Sequence, residues 1–241
     1  MLISSKITNG INGNVKIPGD KSISHRSIII PSISNGTSEI SNLLWSEDIL
    51  NTLSAIKAMG VEIEEDKKKV LIIGKGLNSL IQSKHKINLG NSGTSARLLI
   101  GLLSSQNFNS TLVGDSSLSK RPMGRITEPL ELMGAKFISD KNKLPLKIIG
   151  QKLKNINYEL ELPSAQVKSG LIFAALNTKG KSKIVEKKIT RNHTEIMLAS
   201  FEADIKIKKI DSENHIFING KKELVPTNIS VPSDLSSASF F

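Results

Sequence analysis

The stretch Pro18-Gly-Asp-Lys-Ser-Ile-Ser-His-Arg26 gathers an ammonium, a hydroxyl and a guanidinium within a few residues. If it opens a helix, Lys21 lies in the first turn and Arg26 stands one turn beyond Ser22 on the same face. A helix start directs unpaired backbone N–H groups and the positive end of the macrodipole at one spot. An ammonium, a hydroxyl and a planar fork at that spot suit a phosphate or a carboxylate. A lone K-S-x-x-x-R is better read as a capped helix bearing solvated cations. Repetition shifts the balance, because further stretches of the same kind follow at Leu89-Gly-Asn-Ser-Gly-Thr-Ser-Ala-Arg97, at Leu162-Pro-Ser-Ala-Gln166 and at Val231-Pro-Ser-Asp234.

The elements around these stretches also repeat, at roughly 70 residues. Met59-Gly-Val-Glu-Ile63, Met133-Gly-Ala-Lys-Phe137 and Phe201-Glu-Ala-Asp-Ile205 each close a helix-period stretch (49–58, 126–132 and 194–200). Each leads into a strand-like run ending in glycine: Val70 to Gly74, Leu146 to Gly150 and Ile216 to Gly220. A further strand then enters a turn and a helix, and the opening run Gly13 to Ile17 predicts a strand in the same role. The predicted fold is therefore α/β, three βαβαββ repeats between residues 20 and 230. One repeat cannot bury its own sheet and helices, so three should pack with helices inward. Their first helices would then aim residues 21–26, 91–97, 164–168 and 233–234 at one anion-attracting face.

Composition narrows the chemistry. The 241 residues are 38% hydrophobic, enough for one or two packed domains. No apolar run reaches the ~20 residues of a bilayer span, and the first residues lack a signal-peptide core. Without cysteine, disulfides, thiolate metal sites and a cysteine nucleophile are excluded. His25, His85, His193 and His215 have no metal-ligand spacing, so no metal is expected. These traits fit a cytoplasmic protein. The formal charge of +11 raises nucleic acid as a partner, but aromatic residues are only 4% and the lysines are spread along the chain. Five arginines (26, 97, 121, 125, 191) stand against 28 lysines, and bidentate oxyanion binding is a reason to keep them.

Five blocks, PGDKSISHR (18–26), LGNSGTSARLL (89–99), GDSSLSKRPM (114–123), LPSAQVKSGL (162–171) and VPSDLSSASFF (231–241), give the chain its resemblance to the 5-enolpyruvylshikimate-3-phosphate synthase family. ITRNHTEIML (189–198) is a sixth. The resemblance implies one domain of the inside-out α/β barrel of enolpyruvyl transferases. It implies a reaction without cofactor or metal: the enolpyruvyl group of phosphoenolpyruvate passes to the 5-hydroxyl of shikimate 3-phosphate, releasing phosphate. By motif, Lys21 would touch both substrates as the catalytic cation, and Ser22 and Arg26 would hold shikimate 3-phosphate. Gly93 and Arg121 would hold phosphoenolpyruvate, Ser164 the shikimate phosphate, and Gln166 both ligands. Ala165 stands where some members carry a second serine, which would cost one phosphate hydrogen bond. Thr190 matches a position that is often serine, and its hydroxyl would serve substrate in the same way. Asn91, Arg97 and Asp234 would support these residues, Asp234 by orienting Lys21 or by capping the last helix. His25 and His193 match no catalytic position and are expected to pack or hydrogen-bond.

Family members run to about twice this length, and their general base and remaining phosphoenolpyruvate clamp lie in a second domain. The resemblance thus implies residues 1–20 as a segment belonging with that domain, 21–230 as the substrate-binding domain, and 231–241 as a crossover. It implies a monomer at full length, no nucleic acid or membrane partner, and no turnover by these 241 residues alone. Glyphosate effects, by the same resemblance, would centre on Gly93 and Leu98. Two rivals remain: a non-catalytic repeat domain binding anions or nucleic acid, and a relative of the UDP-N-acetylglucosamine enolpyruvyl transferases. The PGDKSISHR block and the lack of cysteine disfavour the second.

Overall fold

The computed structural model describes residues 13–66 and 68–239. In chain order the first copy comprises α1 (Lys21–Ser32), β1 (Asn35–Ser41), α2 (Glu47–Ala58), β2 (Glu62–Glu65), β3 (Lys69–Lys75) and β4 (Ile87–Asn88). The second comprises α3 (Gly93–Ser104), β5 (Ser110–Val113), α4 (Gly124–Leu132), β6 (Lys136–Ile138), β7 (Leu146–Ile149) and β8 (Asn157–Glu159), with a 3₁₀ turn at Leu118–Lys120. The third runs through α5 (Ala165–Leu176), β9 (Lys181–Glu186), α6 (His193–Ser200), β10 (Ile205–Ile210), β11 (Glu213–Asn219) and β12 (Ile229–Ser230), before the short α7 (Leu235–Ala238).

The helices start where the sequence supplies caps. Asp20 accepts the Ile23 N–H at 2.8 Å, Ser92 that of Ser95 at 3.2 Å and Ser164 that of Val167 at 3.3 Å. Each thereby satisfies one orphan donor of a first turn and leaves others free. In α2, Glu47 and Asp48 occupy the first turn and Lys57 the last, which complements the macrodipole at both ends.

Among the described residues three four-stranded sheets form, in the orders β12-β1-β3-β2, β4-β5-β7-β6 and β8-β9-β11-β10. Each has one parallel pair at its edge, and the other pairs are antiparallel. The parallel edge strand always comes from the preceding copy: β4 joins the second copy's sheet, β8 the third's, and β12 returns to the first. The three units are thus closed into a ring by strand exchange. Gly74, Gly150 and Gly220 recur at one place in each unit. A Cβ on them would lie 2.2, 2.1 and 1.9 Å from the carbonyl oxygens of Pro31, Phe108 and Thr178, at or just past the ends of α1, α3 and α5. Only glycine lets the sheet meet the helix end so closely.

One expected element is absent. Residues 13–17 form no strand, and among the described residues before α1 there is only an isolated bridge, Gly19 to Ser233. The edge of β1 that such a strand would join is taken by β12, in the register Ile40↔Ile229. A strand without a free edge has no ladder to complete, and Val15 stays exposed.

The helices do face inward. α5 is apolar on nearly every side and buries all residues from Val167 to Leu176, as a central helix must. It crosses α3 through backbone contact: a Cβ on Gly101 would sit 1.9 Å from the Gly170 carbonyl oxygen. That approach sets the first turns of α3 and α5 side by side.

Candidate anion-binding site

At the start of α1, the Lys21 side chain is half exposed and pairs with Asp48 in the first turn of α2. Of the two roles expected of Asp234, it takes the second and caps α7, accepting from the Ser236 N–H at 3.0 Å and the Ser237 hydroxyl at 2.7 Å. Those bonds, the Ser237 hydroxyl first, hold its carboxyl below the usual range. The reason is reach: Asp234 is the residue just before α7, so its own first-turn donors are the nearest ones.

Arg26 is 3% exposed and donates from all three guanidinium nitrogens. Nε bonds Thr194 Oγ1 at 2.6 Å, Nη1 the Ser22 carbonyl at 2.7 Å and Nη2 Ser169 Oγ at 2.8 Å. Thr194 in turn donates to Ser169 at 2.7 Å. Burial draws the Arg26 pKa down to about 10, opposed by Glu195 and Asp20, so the guanidinium stays charged at neutral pH.

A second cationic set lies across α5. Arg97 Nη1 donates to the Gly93 carbonyl and to Gln166 Oε1, both at 3.1 Å, and Nη2 to the Pro122 carbonyl at 3.4 Å. Gln166 Nε2 completes the link by donating to Thr94 Oγ1 at 3.0 Å. Arg121 is exposed and is held by Asn91 and, at 3.4 Å, by Ser117. A Cβ on Gly93 would fall 3.0 Å from Arg97 Nη1 and 3.1 Å from Arg121 Nη1, so two guanidinium ends crowd the bare backbone there. Burial first, then Arg121 and Arg125, lower the Arg97 pKa. Clustered like charges of this kind are relieved by an anion.

The two sets are joined by α5, which carries Gln166 and Ser169 one turn apart, and by buried His25. Its Nδ1 lies 2.9 Å from Thr52 Oγ1 and 3.2 Å from Ser95 Oγ. Burial pulls the His25 pKa down to about 3, which keeps the ring neutral. Ser164 caps the same α5 turn that holds Ala165 and Gln166. Thr190 sits differently from the expectation that its hydroxyl faces a ligand: both its N–H and its hydroxyl donate to Glu186, the amide at 2.9 Å. A carboxylate is the stronger acceptor, so the hydroxyl proton is already engaged.

Asp48, Ser169, Thr194, Glu186 and Glu195 were not legible as site residues. Lys168 carried a signal, a single charge inside an apolar helical run, which usually means a buried partner. Arg191 carried one as an arginine within the sixth block; its charge is felt by Arg26 and His193.

A family model described as EPSP synthase (3-phosphoshikimate 1-carboxyvinyltransferase) matches residues 5–241. The 3-phosphoshikimate 1-carboxyvinyltransferase of Streptococcus agalactiae serotype V is 51% identical over 236 residues, covering 97% of this chain and 54% of that protein. Its namesake in Lactococcus lactis subsp. cremoris (strain SK11) is 47% identical over 237 residues, with the same coverage. A solved structure of EPSP synthase from Acinetobacter baumannii superposes with a TM-score of 0.89 at 48% identity, covering 95% of this chain and 51% of that one. The chain spans about half the length of the curated relatives it matches.

Proposed function

The chain belongs to the EPSP synthase family, and from that membership we propose that it forms the cation-lined half of a site joining phosphoenolpyruvate to the 5-hydroxyl of shikimate 3-phosphate. The observation that carries this reading is the meeting of the α1, α3 and α5 starts, with Lys21, Arg26, Arg97 and Arg121 around them. Both substrates are anionic, and charge develops on the phosphoenolpyruvate part during addition. Fixed guanidinium groups and helix N–H donors stabilise that charge without reorganising, most strongly where closure excludes water.

In this reading Lys21 is the cation shared by both substrates and exchanges Asp48 for them. Ser22, Arg26, Ser164 and Gln166 receive shikimate 3-phosphate, with Ala165 contributing backbone only. Gly93 and Arg121 receive phosphoenolpyruvate, while Asn91 and Arg97 hold the guanidinium and the glycine turn in register. Thr190 acts through Glu186 more than by direct contact. Residues 21–230 form the substrate-binding domain, 231–241 lead toward a second domain carrying the general base, and 1–20 belong with that domain. The protein is cytoplasmic and a monomer at full length, and it binds neither nucleic acid nor membrane. In support, no described helix is long and apolar enough to cross a membrane.

The test is a nuclear magnetic resonance titration of the 241-residue chain. Shikimate 3-phosphate should shift the Ser22, Arg26 and Gln166 resonances saturably at millimolar concentration, with no phosphate released when phosphoenolpyruvate is added. Salt-sensitive DNA binding with a steep slope, and silence toward shikimate 3-phosphate, would favour the anion- or nucleic-acid-binding repeat domain instead.

A further inference from the structure

Beneath the shikimate side of the site lies a cluster of ions that no substrate role explains. Lys168, on α5, is wholly buried, and its ammonium sits 3.0 Å from Glu186 and 2.8 Å from Glu195, themselves 1% and 2% exposed. Glu186 also takes the Thr190 N–H at 2.9 Å, the Thr190 hydroxyl, and Asn214 Nδ2 at 3.4 Å. Glu195 follows Thr194, the acceptor of Arg26 Nε, and its carboxylate favours the charged form of Arg26. Two cations, Lys168 and Arg26, therefore face two carboxylates, and the group is formally neutral.

Stability alone is a poor reason for such a cluster. Four ions withdrawn from water pay a desolvation penalty that their attraction barely offsets, and apolar residues of similar volume usually pack at least as well. The surroundings of Lys168 on α5 are apolar already. What apolar side chains lack is direction: they cannot take the Thr190 N–H and hydroxyl together or attract a guanidinium.

We propose that Lys168, Glu186 and Glu195 are positioning residues, a buried lock that holds the 187–192 segment and Arg26 against the first turn of α5. Lys168 lies two residues from Gln166 and beside Ser169, so the lock ties Thr190, Arg26 and Gln166 to one anchor. It sets the geometry of the phosphate-receiving side, and in that part it rests on the shikimate 3-phosphate reading above.

The experiment compares the chain with Glu186→Gln and with the triple variant Lys168→Met/Glu186→Leu/Glu195→Gln. Thermal melting, amide exchange at Thr190 and the Kd for shikimate 3-phosphate are read on each. Glu186→Gln should melt lower, exchange the Thr190 amide about tenfold faster and bind shikimate 3-phosphate about tenfold more weakly, the factor expected for one charge-assisted hydrogen bond. The triple variant removes all three paired charges together, so no carboxylate is left without its ammonium. It should regain most of the lost melting temperature, while Thr190 exchange stays fast and binding stays weak. Recovery of exchange and affinity along with stability would reduce the cluster to a structural ion pair and overturn the proposal. So would unchanged Thr190 exchange and affinity in Glu186→Gln. If the parent chain ignores shikimate 3-phosphate, the proposed substrate falls. Thr190 exchange then still decides whether the lock holds its segment.

Discussion

Arg26 donates to oxygens on α1, α5 and α6, and each bond comes from a different guanidinium nitrogen. A lysine has one nitrogen and no fixed fork, so it cannot replace this arrangement. Arg26→Ala leaves buried Ser169 and Thr194 hydroxyls facing a void. It should cost about 3 kcal/mol in urea denaturation, with Arg26→Lys recovering less than half. Gly93→Ala tests a different point. The added methyl meets only the ends of two long side chains, which can yield. Stability should therefore hold or rise slightly, because alanine is the better helix residue, while the response of Arg121 to phosphoenolpyruvate in the titration is lost. His25 gives a pH signature. Its pKa is about 3 in the fold against 6.5 in the unfolded chain, so below pH 6.5 the unfolded chain binds the proton and the fold does not. Stability should fall by about 1.4 kcal/mol per pH unit from pH 6.5 down toward pH 3. In His25→Asn, melting curves between pH 7 and 5 should lose that slope.

At the scale of elements, the crossing of α3 and α5 does the positioning. Gly101 and Gly170 let the two backbones touch, and the touching helices then present Gly93 and Gln166 as neighbours. Gly101→Ala should force the helices apart, destabilising the chain by at least about 3 kcal/mol in urea. In whatever folded fraction remains, the Arg97–Gln166 bond should open, visible as a shift of the Gln166 side-chain amide. The caps Asp20, Ser92 and Ser164 each act within three residues of themselves, a range that sequence spacing can encode. The Gly101–Gly170 contact was not legible, since a mid-helix glycine looks the same in sequence whether it faces solvent or another backbone.

For the whole molecule, the decisive feature is the ring closed by β12. Every sheet borrows its parallel edge strand from the copy before it, so the first copy depends on the last. Ile40, fully buried on β1, pairs with Ile229, and Val231 is 1% exposed beside them. Removal of residues 228–241 should expose the edge of β1. Amide exchange should rise at Ile40 and Ser41 well before it rises in β5 or β9, a contrast that hydrogen-exchange mass spectrometry can resolve by peptide.

The chain by itself determined the repeat, its βαβαββ order and the inward first helices. These depend on local physics: caps, periodicity and turn residues act over a few positions, so they are written in consecutive letters. It also led to a strand over 13–17, because nothing local says whether an edge is free. The tertiary structure decided that β12 takes that edge, that Asp48 and not Asp234 meets Lys21, and that Thr190 turns to Glu186. It also assembled the Lys168 cluster and joined Arg26 to Thr194 across 168 residues of sequence. Those choices belong to side chains with several possible partners. Only the packing of three closed units brings one of them within 3 Å or so while excluding the rest.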